Sequence, residues 1–345
     1  MRTVIGNISA AVVQRVGNKS LGDGIAFSTE LCPMDDVEIH LHKLIDTSFK
    51  YDELKHFDAI DSVEYNLVHR CVSKVFKDNN CLIEQANNLA RHLYEQSIHP
   101  NIKEGEFYVV YFKECELNGK AMDAIGLFKS ESRETILKIF IQEDKLRLSP
   151  EQGMSLRKLD KGCIIFNTDR ESGYKVAVVD NTNSGSDARY WVDNFLHLAN
   201  CNDDYHKTLQ AVDMCTSFIR QTQKDDDGLT CAKAAKAATN LLSSEQSVTL
   251  KQVADILCPT DEQKQLFDTF KTQFEEIHGT LPKEFTPVST ALKRKPVNRM
   301  NTIKLGTDFE VKILNSDAEV EIGFDQSKGM KFFKLYYRHG RNSSD

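Results

Sequence analysis

Long apolar runs are missing from this 345-residue sequence. No stretch approaches the roughly 18 consecutive apolar residues that a membrane-spanning helix needs. The first residues, Met1 to Asn7, also lack the apolar core of a secretory signal, so we expect the protein to remain in the cytoplasm. A strong charge imbalance is missing as well. A net charge of −7 with 40% hydrophobic residues is typical of a folded globular chain and excludes a largely disordered one.

The common signatures of catalysis and metal binding are absent. The sequence has no glycine-rich phosphate loop, no nucleophile elbow and no His-Glu-x-x-His motif, and its nine cysteines include no Cys-x-x-Cys pair. His40 and His42 are the most suggestive residues, because two histidines one residue apart on a strand share a face and reach one metal ion. No third ligand lies nearby, so a solvated strand edge is favoured. We predict neither enzymatic activity nor a cofactor.

The N-terminal half combines helices with a run of strands. A helix from Cys81 to Ser97 places Leu82, Ala86, Leu89, Ala90 and Leu93 on one face. The apolar period then changes to two, with short links between five strands. Such a succession predicts an antiparallel β meander packed with the preceding helices. The five predicted strands are 107–112, 124–128, 136–141, 163–166 and 174–179.

The C-terminal half is helical at first and ends in strands. A polar stretch from Asn181 to Ser186 separates the halves, so we predict two domains, residues 1–185 and 186–345. The predicted helices are 188–198, 205–221, 231–242, 250–257 and 262–277. Alternating apolar and polar residues from Ile303 to Tyr337 predict a small antiparallel sheet. The helical spacing of Tyr190, Trp191 and Phe195 favours core packing over a base-stacking platform. The fold class is therefore α+β.

One segment departs from the overall acidity of the chain. The segment from Val288 to Arg341 contains eleven lysines and arginines and six acidic residues, a net charge of +5. All other residues together therefore carry a net charge of −12. Basic side chains concentrated in this way can contact DNA phosphates and release counterions. The alternative interpretation is that they only keep the surface soluble. The candidate DNA-binding residues are Lys293, Arg294, Lys295, Arg299, Lys304, Lys331, Lys334 and Arg338.

Several stretches, in order, resemble the nucleoid-associated NdpA family of bacteria. They are the aromatic segment Tyr190–Leu196, the stretch Leu209-Gln-Ala-Val-Asp213, the helices from Val248 to Ile277 and the join from Phe285 into the terminal strands; the strands at 107–112 and 124–128 are also similar. The resemblance implies nucleoid localisation and DNA association, with no catalytic residues to carry over. This chain departs from the family at Lys293-Arg-Lys295 and in its basic tail, so the mode of DNA contact is not transferred.

Our leading hypothesis is a cytoplasmic, nucleoid-associated, non-enzymatic protein that binds double-stranded DNA mainly through phosphates and with little sequence preference. No helix with clustered Arg, Asn and Gln indicates base reading. One alternative is a protein-interaction scaffold that a partner recruits to the nucleoid. Another is a metal-dependent hydrolase acting on DNA through His40 and His42. Other nucleoid proteins and a second copy of the chain are further candidate partners; a membrane is not.

Overall fold

A computed structural model describes residues 3–182, 190–222, 229–243, 246–294, 302–305 and 307–337 of the chain. The chain forms two compact units, residues 1–201 (unit 1) and residues 202–345 (unit 2). The predicted domain boundary after residue 185 falls within 183–189, which lie outside the described residues, and it stays a prediction. The turn at Tyr190–Leu196 and the strand after it belong to unit 1.

Unit 1 contains eleven strands and three α-helices among its described residues. The strands and helices are β1 (Thr3–Val4), β2 (Asn7–Val16), β3 (Ile25–Ala26), α1 (Glu38–Ser48), β4 (Leu54–Phe57), α2 (Leu67–Lys77), α3 (Leu82–Gln96), β5 (Gly105–Leu117), β6 (Lys120–Ser130), β7 (Arg133–Gln142), β8 (Lys145–Met154), β9 (Lys161–Phe166), β10 (Lys175–Asp180) and β11 (Leu198–Asn200). A π-helical turn, Tyr190–Leu196, precedes β11.

A nine-stranded antiparallel sheet is the centre of unit 1. Its order is β11-β4-β10-β9-β6-β5-β2-β3, and β1 pairs with β5. Alternate residues of β9 enter two different cores: Cys163 and Ile165 join the core on one face, and Ile164 and Phe166 join the core on the other. Because both faces are covered, β9 is apolar from Gly162 to Phe166 and all of these residues are buried.

The predicted five-stranded meander is wrong in its third member. The sheet passes from β6 directly to β9, and the predicted strand 136–141 belongs to β7, which pairs only with β8 in a separate hairpin. The reason lies in the polar residues of this segment. A strand in the middle of the sheet would bury Glu134 and Lys138 of β7 and Arg147 of β8, and buried charges are costly unless they are paired.

Helices and the π-helical turn cover the two faces of the sheet. The apolar side of α2 and α3 packs in one core with Trp191 and Phe195, and α1 contributes Leu44 and Ile45 to the core on the other face. The predicted apolar face of α3 is confirmed, since all five of its residues are buried. Trp191 is completely buried and contacts Phe195, with ring centroids 4.9 Å apart, so the expectation of core packing is confirmed.

Unit 2 is helical in its first part and ends in two hairpins. Its elements are α4 (Asp204–Thr222), α5 (Leu229–Leu242), β12 (Val248–Thr249), α6 (Leu250–Leu257), α7 (Asp261–His278), β13 (Glu284–Phe285), α8 (Ser289–Arg294), β14 (Thr302–Leu305), β15 (Phe309–Lys312), β16 (Val320–Asp325) and β17 (Met330–Leu335). Thr249 and Thr260 begin α6 and α7 with capping boxes, each worth about 1 kcal/mol in similar helices.

The terminal strands form two separate two-stranded sheets, β14-β15 and β16-β17, where one small sheet was expected. They share a small core in which Ile303 and Ile313 pack with Ala232 of α5. The predicted α+β class is confirmed: an antiparallel sheet with helices comes first, and helices with small antiparallel sheets follow. Among the described residues, no helix combines the length and apolar composition that crossing a membrane requires.

Candidate nucleic-acid interface

The candidate DNA-binding residues are distributed over three elements of unit 2. Lys293 and Arg294 end α8, Lys304 lies on β14, and Lys331 and Lys334 lie on β17. All five side chains are exposed. The other candidates, Lys295, Arg299 and Arg338, lie outside the described residues.

The structure brings Lys304 and Lys331 together. Both line a cleft of about 840 Å³ between the two terminal hairpins. Phe309 and Phe324 line the same cleft and are 69% and 59% exposed. Asp308 is the acidic member of the lining. The cleft therefore combines two cations with exposed aromatic surface.

Lys334 forms an ion pair with an acidic neighbour. Its ammonium lies 3.0 Å from Oε2 of Glu321, the residue directly opposite on β16, and the Tyr336 hydroxyl donates to the same oxygen at 2.6 Å. Hydrogen bonds from Tyr336 and Lys334 hold the pKa of Glu321 below its usual value, and contacts with Tyr336 and Glu321 raise the pKa of Lys334. Both groups are therefore charged at neutral pH, and the charge of Lys334 is largely neutralised.

A second basic surface, in unit 1, was not predicted. It consists of Arg70, Lys74 and Lys77 on α2 and Arg91 on α3, and we call it the α2–α3 basic face. All four side chains are exposed. None of them lies within ion-pair distance of a carboxylate in the described part of the chain. The face therefore presents four positive charges that no carboxylate among the described residues balances.

The α2–α3 basic face surrounds a groove of about 440 Å³ between the two helices. Arg70, Lys74 and Arg91 form its rim, and Leu67 and Cys71 provide apolar surface. Glu95 also lines the groove, but it is paired with Lys19. Arg91 is further held by its position over the Phe27 ring, 4.8 Å from the centroid. An anionic ligand that enters this groove meets a net positive rim.

The local sequence explains why the cations of α2 share a side. The Asn66 side chain accepts a hydrogen bond from the backbone N–H of His69 at 3.0 Å and starts the helix. Val68, Val72 and Val75 then turn inward, because apolar residues spaced three and four apart occupy one face. The spacing of Arg70, Lys74 and Lys77 places these residues outward together. This spacing is readable in the sequence, but the overall acidity of the N-terminal half conceals it.

Two lysines with a different role lie inside unit 1. The side chains of Lys129 and Lys161 are fully buried on either side of Glu131, at 3.0 and 3.6 Å from its two carboxylate oxygens. Lys129 also donates to the Lys103 carbonyl at 2.8 Å and to the Tyr190 hydroxyl at 3.3 Å. We call Lys129, Glu131, Lys161, Asp180 and Tyr190 the buried lysine network.

Lys129 and the Tyr190 hydroxyl use their hydrogen-bonding groups on partners inside the protein. Lys129 has three acceptors for its three N–H groups, and the Tyr190 hydroxyl donates to Glu131 at 3.0 Å. Burial lowers the pKa of Lys129, whereas Glu131 opposes this shift. Burial also raises the pKa of Asp180, which lies 3.4 Å from Lys161. This arrangement holds β6, β9, β10 and the π-helical turn together and leaves no lysine N–H for a ligand on Lys129.

The proposed histidine pair has a different geometry from the one expected. His40 and His42 lie on α1 and not on a strand, and residues two apart on a helix do not face each other. His42 lies 3.5 Å from Glu38, whereas His40 is exposed. No group of three or more His, Cys, Asp or Glu residues in the described part of the chain is arranged to hold a metal ion. The hydrolase alternative therefore loses the geometry on which it depended.

Comparison with known families gives one match over most of the chain. Residues 12–329 match the family model described as nucleoid-associated protein YejK. This match confirms the resemblance to the NdpA family that the sequence motifs indicated. The family is one of nucleoid-associated proteins and is not a known enzyme family. No curated protein matches the chain.

Proposed function

Because the chain belongs to the nucleoid-associated protein YejK family, we propose that it binds double-stranded DNA in the nucleoid, without catalysis. The contacts are mainly to phosphates and carry little sequence preference. Phosphate contacts fix a protein on the duplex, whereas base contacts select the sequence. The α2–α3 basic face is the observation that supports this proposal, since its four exposed cations have no carboxylate partner in the described residues.

The amide side chains near this face support weak sequence preference. Arg91 donates to Asn88 at 3.3 Å, Asn88 donates to Gln85 at 3.4 Å, and Gln85 donates to Glu84 at 3.0 Å. Asn, Gln and Arg read bases through paired hydrogen bonds to base edges. Here these groups are bonded to one another along α3. Within the described ranges, the exposed cations of α2 make no such bonds, and they suit phosphate oxygens.

The C-terminal candidates stay part of the proposal. Lys304 and Lys331 line one cleft, and Lys293 and Arg294 are exposed at the end of α8. We assign a smaller contribution to Lys334, because Glu321 balances its charge. Lys295, Arg299 and Arg338 complete the proposed C-terminal contacts, so each of the two units carries its own set of proposed phosphate contacts.

A salt titration of duplex binding tests the proposal. Purified full-length chain is titrated with duplexes of unrelated sequence at several salt concentrations. Changing Arg70, Lys74 and Lys77 to Ala should make the slope of log affinity against log salt less steep by about 2.7, or about 0.9 for each lost phosphate contact. The loss should be equal for all sequences. The variant Lys304→Ala/Lys331→Ala measures the C-terminal contribution in the same way.

The matched control for the triple variant is Lys50→Ala/Lys113→Ala/Lys120→Ala, which removes the same number of charges from exposed positions elsewhere in unit 1. An equal loss in this control would attribute the effect to net charge and reject the α2–α3 basic face. Absence of duplex binding by the wild-type chain at low salt would reject direct DNA binding itself.

The second candidate function is a protein-interaction scaffold that a partner recruits to the nucleoid. The net charge of −7 favours it, since an acidic chain is repelled by DNA at long range. Co-purification of one stoichiometric protein, together with no DNA affinity in the purified chain, is the result that this function predicts. DNA affinity with the expected salt dependence would rule it out as the primary role.

A further inference from the structure

The cleft between the β14–β15 and β16–β17 hairpins, which we call the terminal cleft, has an apolar floor and an aromatic mouth. Leu305, Val311 and Phe333 form the floor, where they are partly buried against the small core that the hairpins share. Phe309 and Phe324 lie at the mouth, and 69% and 59% of their surface is exposed. The volume of about 840 Å³ is in the range of ligand sites. Large apolar side chains left uncovered around one cleft mark a binding site.

Each wall of the terminal cleft carries a lysine close to its exposed ring. Lys331 lies directly opposite Phe324 in the β16–β17 pairing. Lys304 lies next to the residue that pairs with Phe309. Among the described residues, no carboxylate lies within ion-pair distance of either lysine, and this includes Glu310, the strand partner of Lys304. Both lysines are therefore available to an anionic ligand.

We propose that the terminal cleft binds single-stranded nucleic acid. Unpaired bases stack on Phe309 and Phe324, and phosphates of the same strand contact the two lysines. Proteins that bind single strands combine exposed aromatic rings, on which bases stack, with cations that follow the backbone. Asp308 also lines the cleft, so two lysines against one aspartate give the lining a net charge of only +1. This charge suits a ligand that is held mainly through its bases.

A duplex cannot use the two rings in the same way. Its bases are paired and stacked on one another, so a base must leave the stack before Phe309 or Phe324 can reach its face, and unstacking costs free energy. The duplex contacts proposed for Lys304 and Lys331 need no stacking. The rings therefore add a second mode of binding, which does not rest on the proposed duplex binding.

The first test compares four probes of about 12 nucleotides, a length within the site sizes of single-strand binding proteins. They are oligo(dT), oligo(rU), an abasic strand with the same number of phosphates, and a duplex. The full-length chain should bind the abasic strand at least about fivefold more weakly than oligo(dT), because the abasic strand has no bases to stack. Equal affinity for these two probes overturns the proposal. The comparison of oligo(dT) with oligo(rU) shows whether DNA or RNA is the better ligand.

The second test changes the ring while the apolar character of the cleft is kept. Phe324→Leu should weaken oligo(dT) binding at least about fivefold and leave duplex binding within about twofold. Phe324→Trp keeps an aromatic face and should keep the affinity. The matched control is Phe332→Leu, which removes an exposed ring from the other face of β17 and should leave oligo(dT) binding within about twofold. Equal weakening by the two leucine variants overturns the proposal.

The variant Phe324→Trp also reports contact directly. Trp191, the single tryptophan of the chain, is completely buried in unit 1, so the added tryptophan gives a separate signal from the terminal cleft. Stacked bases should quench this signal as oligo(dT) is added. Binding without any change in the signal would mean that the strand lies elsewhere, and it would overturn the assignment to this cleft.

A salt titration with oligo(dT) tests the two phosphate contacts. Lys304→Ala/Lys331→Ala should make the slope of log affinity against log salt less steep by about 1.4, or about 0.7 for each lost contact with a single strand. An unchanged slope contradicts these contacts. If oligo(dT) does not bind but an acidic aromatic peptide does, and Phe324→Leu abolishes peptide binding, the cleft belongs to a protein partner and the proposal is overturned. Loss of duplex binding in the α2 triple variant concerns the proposed function alone.

Discussion

The two units of the protein hold their basic side chains in different ways. In unit 1, α2 repeats cations at intervals of three and four residues, so Arg70, Lys74 and Lys77 share one side of a helix without acids between them. In the terminal hairpins of unit 2, cross-strand pairing sets Lys334 opposite Glu321 and Lys304 opposite Glu310. A helix thus collects like charges, whereas a hairpin of mixed charges matches them in opposite pairs.

This difference changes the meaning of the C-terminal charge excess. The described hairpin residues, 302–305 and 307–337, contain five lysines and six acids, so they are slightly acidic. The excess comes from Lys293 and Arg294 and from basic residues outside the described ranges. Net charge along a segment therefore says little about a binding surface until the pairing of each charge is known.

The largest expected effect is a loss of stability on removing the carboxylate that Lys129 and Lys161 share. It distinguishes cations that stabilise the fold from cations that are available to a ligand. Glu131→Gln leaves Lys129 and Lys161 buried without their shared carboxylate. We expect unit 1 to lose about 3–5 kcal/mol of unfolding free energy, because breaking a buried ion pair leaves the remaining charge buried without a partner. Urea unfolding, followed by the fluorescence of Trp191, measures it; this residue is the single tryptophan of the chain and lies in unit 1.

The control for this measurement is Glu104→Gln. Glu104 pairs with Arg15 at 3.3 Å, and about half of each side chain is exposed. Exposed pairs of this kind contribute at most about 1 kcal/mol. Similar losses in the two variants would mean that the buried lysine network does not stabilise unit 1 more than a surface pair.

The next largest effect tests whether the ion pair with Glu321 prevents Lys334 from contributing to DNA binding. Glu321→Gln removes the partner of Lys334 and should strengthen duplex binding, with a salt dependence steeper by about one unit, if this hairpin approaches DNA. Lys334→Ala should change binding less, because the charge it removes is already balanced. The measurement is the same salt titration with the two single variants. Unchanged binding in Glu321→Gln would leave the α2–α3 basic face as the main contact.

The smallest effect is a pH dependence in unit 1. Burial lowers the pKa of His69 and of His92 below the ordinary value of about 6.5. As the pH falls below 6.5, the unfolded chain therefore binds protons that the folded histidines resist, and stability decreases. We expect the free energy of unfolding, followed by Trp191 fluorescence, to decrease between pH 7.5 and 5.5. His69→Gln should flatten this dependence, and an unchanged slope would contradict the assignment.

The sequence predicted those features that depend on local periodicity. The apolar face of α3 and the bounds of α6 agree with the structure because helical spacing and a capping threonine are local signals. The predicted position of β7 in the large sheet was wrong, because an alternating pattern predicts a strand but does not show which sheet the strand joins. His40 and His42 were placed on a strand because short segments are ambiguous. The buried lysine network was not predictable, since Tyr190 and Lys129 meet only in the folded unit.

The buried lysine network also has a consequence for chemical modification. An amine must reach solvent before an acylating reagent can attack it, and the side chains of Lys129 and Lys161 have no exposed surface. Surface lysines such as Lys74 carry no such protection. Acetyl groups found on Lys129 or Lys161 would therefore record molecules in which unit 1 had opened, and the rate at which they accumulate would time that opening.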